Sequence, residues 1–139
     1  MKTLNVIGCG RVGPTLAALL HQQSIVQVQD LFSRSLSSAE QAAKFVGAGQ
    51  PVATLAQMRA ANVWLLSVPD AQVALAAQAL AEAQGAQLAG ALVFHNSGFL
   101  SASVLQPLQA LGAHVASAHP VLNFASAETG VRQFAGTPC

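Results

Sequence analysis

The chain has 139 residues, 53% of them hydrophobic and only 8% charged, with a formal net charge of +1. This length suits one domain with a real core, the charge offers no basic stripe for nucleic acid, and no apolar run reaches the roughly 18 residues of a membrane span. Met1-Lys2 leads into an apolar stretch rather than a signal peptide, and Cys9 and Cys139 make no disulfide framework, so the cytoplasm is the expected location.

Strand and helix patterns alternate along the chain. Residues 3–7 read as a first strand and 11–21 as a helix, with Pro14 tolerated in the first turn, where its missing N–H costs nothing. Residues 25–32 alternate as a second strand. Ser37 or Ser38 is expected to cap a helix running through Phe45 and stopped by Gly47. Pro51-Val52 forms a short third strand and residues 54–60 a short helix. The nearly continuous apolar run at 63–68 fits a parallel strand buried on both faces. Asp70 is expected to cap a helix to about residue 83. Residues 91–95 give a fifth strand, 101–111 a helix closed by Gly112, and 114–118 a sixth strand. This order predicts an α/β fold of three αβα layers, doubly wound, with a mainly parallel sheet and right-handed crossovers.

The first strand runs directly into Gly8-Cys9-Gly10-Arg11-Val12-Gly13, a G-x-G-x-x-G turn followed at once by a helix. In a dinucleotide-binding turn Gly8 permits the tight bend and Gly10 admits the pyrophosphate against backbone. Gly13 lets helix and strand pack closely, while Arg11 and Val12 complete the loop. Free N–H groups and the helix dipole would hold the phosphates. The alternatives are a structural turn or a related cofactor such as S-adenosylmethionine. Cys9 reads as a small residue that a bound cofactor would cover, not as a nucleophile.

Cofactor identity is read at the end of the second strand, where an NAD-binding fold places a carboxylate about 20 residues beyond the glycines. Counting from Gly13 lands on Ser33, within Ser33-Arg34-Ser35, which holds no carboxylate. An Arg flanked by two hydroxyls suits a 2′-phosphate, so NADP is expected ahead of NAD. Asp30 is the rival, but it falls inside the strand. The alternative for the triplet is a solvated Arg34, with Ser35 capping the next helix.

Further polar groups cluster at later strand ends: Ser67-Val68-Pro69, His95-Asn96-Ser97-Gly98 and His119-Pro120. His95 and Ser97 could hydrogen-bond a substrate carbonyl or relay a proton; the alternative is that His95 satisfies buried backbone. His21 and His114 read as structural. No metal is expected, because His95, His114, His119 and Cys139 lack the spacing of a zinc site.

Taken in order, these motifs resemble the N-terminal Rossmann-like domain of NADP-dependent oxidoreductases similar to pyrroline-5-carboxylate reductase, 6-phosphogluconate dehydrogenase and prephenate dehydrogenase. His-x-Ser-Gly followed by His-Pro points to a subfamily with a C-terminal helical domain of unassigned function. The resemblance implies that residues 1–139 are the cofactor domain, and that the backbone of Ser67, Val68 and Pro69 lines the nicotinamide-ribose side. It makes His119 the foremost catalytic candidate, with His95 and Ser97 beside it. It also implies that the helical domain, which mediates dimerisation and supplies much of the substrate pocket, is missing, so that the chain is a fragment. The expected function is hydride transfer to or from a small polar metabolite; a non-catalytic NADP-binding sensor or scaffold is the alternative. A homodimer is expected, through alanine-rich surface at 71–83 and the tail at 121–134.

Overall fold

A strand that is apolar on both faces has to be covered on both, and Trp64, Leu65 and Leu66, all fully buried, define such a strand. The computed structural model describes residues 2–8, 12–97 and 100–118. Its strands are β1 (Lys2–Ile7), β2 (Val26–Phe32), β3 (Gln50–Val52), β4 (Val63–Leu66), β5 (Leu92–His95) and β6 (His114–Ser117). The α-helices are α1 (Val12–Gln22), α2 (Leu36–Val46), α3 (Val73–Gln84) and α4 (Gln106–Gln109). All strand pairs are parallel, in the order β3-β2-β1-β4-β5-β6. This is the doubly wound α/β architecture that the alternating pattern predicts.

The period-two alternation of side chains sends the two faces of the central strands into two cores. Leu4, Val6 and Leu65 join Ala17, Ala18 and Ala42 of α1 and α2 on one face. Ile7, Trp64 and Leu66 join Val73, Ala77 and Leu80 of α3 and Leu108 of α4 on the other. Burying a side chain of leucine size contributes roughly 1.5–3 kcal/mol, so these two layers hold the helices to the sheet.

The pairing of β1 with β2 contains one slip. Leu4 pairs with Val28, but Val6 pairs with Leu31, so β2 advances one extra residue. Parity along β2 therefore reverses: Val26 and Val28 enter the first core, and beyond the slip Leu31, not Asp30, joins them. The fully buried Asn5 side chain fills the irregularity. Its Oδ1 accepts from the Asp30 N–H (3.1 Å) and Gln29 Nε2 (3.2 Å), and its Nδ2 donates to the Arg59 carbonyl (2.6 Å). The Asp30 carboxylate, 1% exposed, accepts from the Arg59 backbone N–H (2.7 Å), Nε (3.3 Å) and Nη2 (2.8 Å). The hydrogen bond to Asp30, reinforced by its charge, raises the Arg59 guanidinium further above its already high range.

Several expected boundaries shift for local reasons. Ser35, not Ser37 or Ser38, caps α2: its Oγ accepts from the Ser38 N–H at 3.1 Å. The helix expected at 54–60 is one 3-10 turn, Leu55–Gln57, closed by a capping box in which Gln57 Oε1 accepts from the Thr54 N–H (3.1 Å). Asp70 makes no side-chain cap; it begins a 3-10 turn, Asp70–Gln72, that leads into α3. The helix expected at 101–111 breaks into a 3-10 turn, Ala102–Leu105, and the four-residue α4. Pro107 lacks the N–H that a continuous helix would aim at the Ser103 carbonyl, and the Gln106 N–H takes that carbonyl instead.

Candidate cofactor site

Because every strand is parallel, the carboxyl ends of β1, β2, β4, β5 and β6 share one edge, and strand order reverses between β1 and β4. Open sheets of this kind bind ligands in the crevice at that reversal. Gly8 stands there. Its φ of +88° lies in the left-handed region, and a Cβ on it would sit 2.2 Å from the Ser67 carbonyl oxygen and 2.7 Å from Val68 Cγ1. The contact is fixed from both sides: the Gly8 N–H donates to the Phe32 carbonyl and the Ser67 N–H to the Ile7 carbonyl, each at 2.7 Å. Gly13, in the first turn of α1, is equally confined, since a Cβ would lie 2.9 Å from both the Gly8 carbonyl oxygen and Ser67 Cβ. These glycines thus have the mechanical roles assigned from the motif, with Ser67 as the surface against which both pack. Val12 opens α1 beside them. Gly10 and Arg11 lie outside the described residues.

At the end of β2, Ser33 is half-buried and Arg34 is exposed. Among the described residues Arg34 has no ion pair, and the triplet contains no carboxylate. Asp30 is held within the sheet by Asn5 and Arg59, so it does not reach this edge as a ribose acceptor. Ser35 begins the helix side of this loop. Besides accepting from the Ser38 N–H, its hydroxyl donates to Ser38 Oγ (2.9 Å), so it serves the helix cap. In its place α2 itself opens beside Arg34, bringing the positive end of an 11-residue helix to the same point.

The ends of β4 and β5 are joined: Asn96 Nδ2 donates to Ser67 Oγ at 3.0 Å. The half-buried Val68 packs against the α3-side core, and the exposed Pro69 stands at the start of the following turn. His95 is fully buried, with Nδ1 against the Ser97 N–H (3.1 Å) and Nε2 against the Ser101 carbonyl (2.8 Å). Both ring nitrogens thus face backbone groups. Ser97 is 6% exposed. His119, the foremost catalytic candidate, lies outside the described residues. His21 sits in the last turn of α1, and His114 begins β6, as structural residues would.

The sequence reading missed Asn96 as a bridge to Ser67 and Asn5 as the filler of the slip. The latter had a signal, a lone amide within an otherwise apolar strand. Among the described residues no group of three or more His, Cys, Asp or Glu side chains could hold a metal ion, and no helix is long and apolar enough to cross a membrane. Three depressions of the described surface lie elsewhere: one beside α2 at Ser37, Lys44, Gly47 and Pro51, and two at the amino-terminal strand edge around Thr3 and Gln29.

A paired substitution separates crowding from backbone strain at Gly8. Gly47 caps α2 at φ +81°, close to the φ of Gly8, yet a Cβ there would meet nothing within 4 Å. Gly47→Ala should cost about 1 kcal/mol of stability, the left-handed penalty alone. Gly8→Ala should cost roughly 2–4 kcal/mol, because the β1 and β4 backbones must also part. Chemical denaturation checks this, and equal losses would mean that the contact with Ser67 is unimportant.

Comparison with known proteins agrees with this geometry. No curated protein matches the chain. Among solved structures, a Bacteroides fragilis protein described as a candidate NADP oxidoreductase has a TM-score of 0.74 at 22% identity, covering 91% of this chain and 46% of its own. Synechocystis arogenate dehydrogenase has a TM-score of 0.69 at 20% identity, over 89% of this chain and 42% of its own. Prephenate dehydrogenase from A. aeolicus, in complex with hydroxyphenyl propionate and NAD+, has a TM-score of 0.71 at 16% identity, over 92% of this chain and 45% of its own. The chain spans a little under half the length of these structures, and at such identities the likeness is one of fold. The resemblance drawn from the motifs is borne out at the level of the Rossmann-like domain, whose model residues 2–120 match. By fold, topology and sequence, the chain belongs to the Rossmann-like domain family.

Proposed function

We propose that this domain binds NADP(H) and serves an oxidoreductase acting on a small polar metabolite with a carbonyl, imine or hydroxyl group. The pyrophosphate would lie over the Gly8–Gly13 turn at the start of α1, and the nicotinamide half would extend past Ser67, Val68 and Pro69. Bound NADP(H) supplies the hydride chemistry; the residues of this chain bind and orient it.

One observation carries the preference for NADP. Arg34 is exposed and, among the described residues, without an ion pair at the end of β2, next to Ser33 and the N-terminus of α2, and the nearest carboxylate of that strand is consumed inside the sheet. A guanidinium fork and a helix N-terminus favour a dianionic phosphate. The solved neighbours do not choose between cofactors, since one is described with NADP and another contains NAD+.

The acid that completes the reaction would come from outside the described residues. Lys2 begins β1 at the opposite edge and Lys44 lies in the last turn of α2, so neither stands at the carboxyl ends. A second, helical domain covering the substrate side fits the partial coverage of the solved neighbours, and cytoplasmic residence fits the two unpaired-by-spacing cysteines. Self-association through the outer face of α3 is favoured by Leu75, 72% exposed next to exposed Ala74. Sedimentation over a concentration series should show a dimer that Leu75→Glu dissociates; a monomer throughout rules this interface out.

Calorimetry tests the cofactor reading. NADP(H) should bind more tightly than NAD(H), and Arg34→Ala should remove most of the difference, about 1.5–3 kcal/mol. Equal affinity for both cofactors, or an unchanged preference in Arg34→Ala, would sink it.

A further inference from the structure

Among the described residues His95 is the one fully buried histidine at the carboxyl edge, and its two ring nitrogens face groups of opposite character. Nδ1 meets the backbone N–H of Ser97, which can only donate, at 3.1 Å. Nε2 meets the carbonyl oxygen of Ser101, which can only accept, at 2.8 Å. A carbonyl and an N–H together admit a single form of the ring: the neutral tautomer with its proton on Nε2. An imidazolium would set an N–H against the Ser97 N–H, and the other tautomer would lose both bonds. The ring thus ties Ser97, two residues beyond β5, to Ser101, the residue that caps the next turn.

The same segment is held at two further points. Asn96 Nδ2 reaches Ser67 Oγ on the β4 end, and Ser117 Oγ of β6 donates to the Leu100 carbonyl at 3.4 Å. Leu100 packs against the α3-side core. The ends of β4, β5 and β6 therefore each make a polar contact with Asn96, Ser97, Leu100 or Ser101, on the side of the switch point away from β2.

We infer that His95 is a positioning residue. Bonded at both ring nitrogens, it sets the backbone of Ser97 and the side chain of Asn96 where they shape the nicotinamide-side wall of the cleft. This rests on the proposed NADP(H) site, because the wall has a function only if a cofactor extends past β4. It assigns the histidine of the His95-Asn96-Ser97 motif to the scaffold and leaves proton transfer to another group.

Two measurements on the full chain test the inference. Long-range proton–nitrogen NMR of the labelled imidazoles should show His95 with a pyrrole-type Nε2 and a pyridine-type Nδ1. The second measurement compares NADPH with adenosine 2′,5′-bisphosphate, which occupies only the β1–β2 side. His95→Phe keeps the ring volume but removes both bonds, and it should weaken NADPH about tenfold while leaving the bisphosphate unchanged. His95→Gln, which retains a donor near the Nε2 position, should recover much of the loss.

An imidazolium or an Nδ1–H tautomer would overturn the inference. So would NADPH binding unchanged in His95→Phe, or an equal loss of both ligands. Should His95→Phe fail to fold, the tautomer and the Gln variant still decide. If the unaltered chain bound neither ligand, the cofactor reading itself would fail and the functional role of His95 with it, whereas a wrong tautomer beside normal NADPH binding would defeat this inference alone.

Discussion

The approach of the Gly8 backbone to the Ser67 carbonyl sets the geometry of the whole carboxyl edge. A Cβ at Gly8 would come within 2.2 Å of that oxygen, so β1 can end against β4 only where residue 8 has no side chain. The same approach brings the first turn of α1 over the switch point, since Gly13 packs on both Gly8 and Ser67. Ser67 then passes the constraint outward through its hydroxyl to Asn96 at the end of β5. The crevice is thus assembled by backbone proximity at Gly8 and extended by a short polar link from Ser67 to Asn96.

A second constraint lies deeper in the sheet and decides what the edge can recognise. The slip between β1 and β2 turns Asp30 away from the α1–α2 core and gives it to Arg59, with Asn5 filling the irregular pairing. A carboxylate at 1% exposure that accepts three hydrogen bonds is not available to a ribose. Freeing it would strand the backbone N–H of Arg59, at a cost on the order of 1–3 kcal/mol for the buried group left unpaired. The strand end beyond it is left with Ser33, Arg34 and the opening of α2. Cofactor preference is in this sense an outcome of strand register as much as of the residues that would touch the ligand.

Much of this was legible in the sequence, and the exceptions have local causes. The apolar run from Val63 to Leu66, the glycine turn and the helix stop at Gly47 correspond to a buried parallel strand, a crowded switch point and a left-handed C-cap. Strand periodicity and glycine strain are short-range effects that a sequence displays directly. The slip in β2 was also visible, as the break in Val26-Gln27-Val28-Gln29-Asp30-Leu31, yet it reads as ordinary alternation unless Asn5 is seen opposite. The cap at Ser35 was legible only as an alternative, because four serines in six residues all satisfy the same rule and only the helix start chooses among them. The role of His95 depends on Ser101, six residues away, whose carbonyl reaches the ring only after the chain turns back. A strand-end histidine looks the same in sequence whether it faces a substrate or the backbone.

The account stands or falls on where a cofactor sits, and an amide chemical-shift titration of the full chain with NADPH measures that directly. The predicted result is a contiguous set of perturbations at Gly8, Val12, Gly13, Ser33 to Ser35 and Ser67 to Val68, along the carboxyl ends of β1, β2 and β4. Perturbations confined to the depression beside α2, around Ser37, Lys44 and Gly47, or to the amino-terminal strand edge around Thr3 and Gln29, would contradict it.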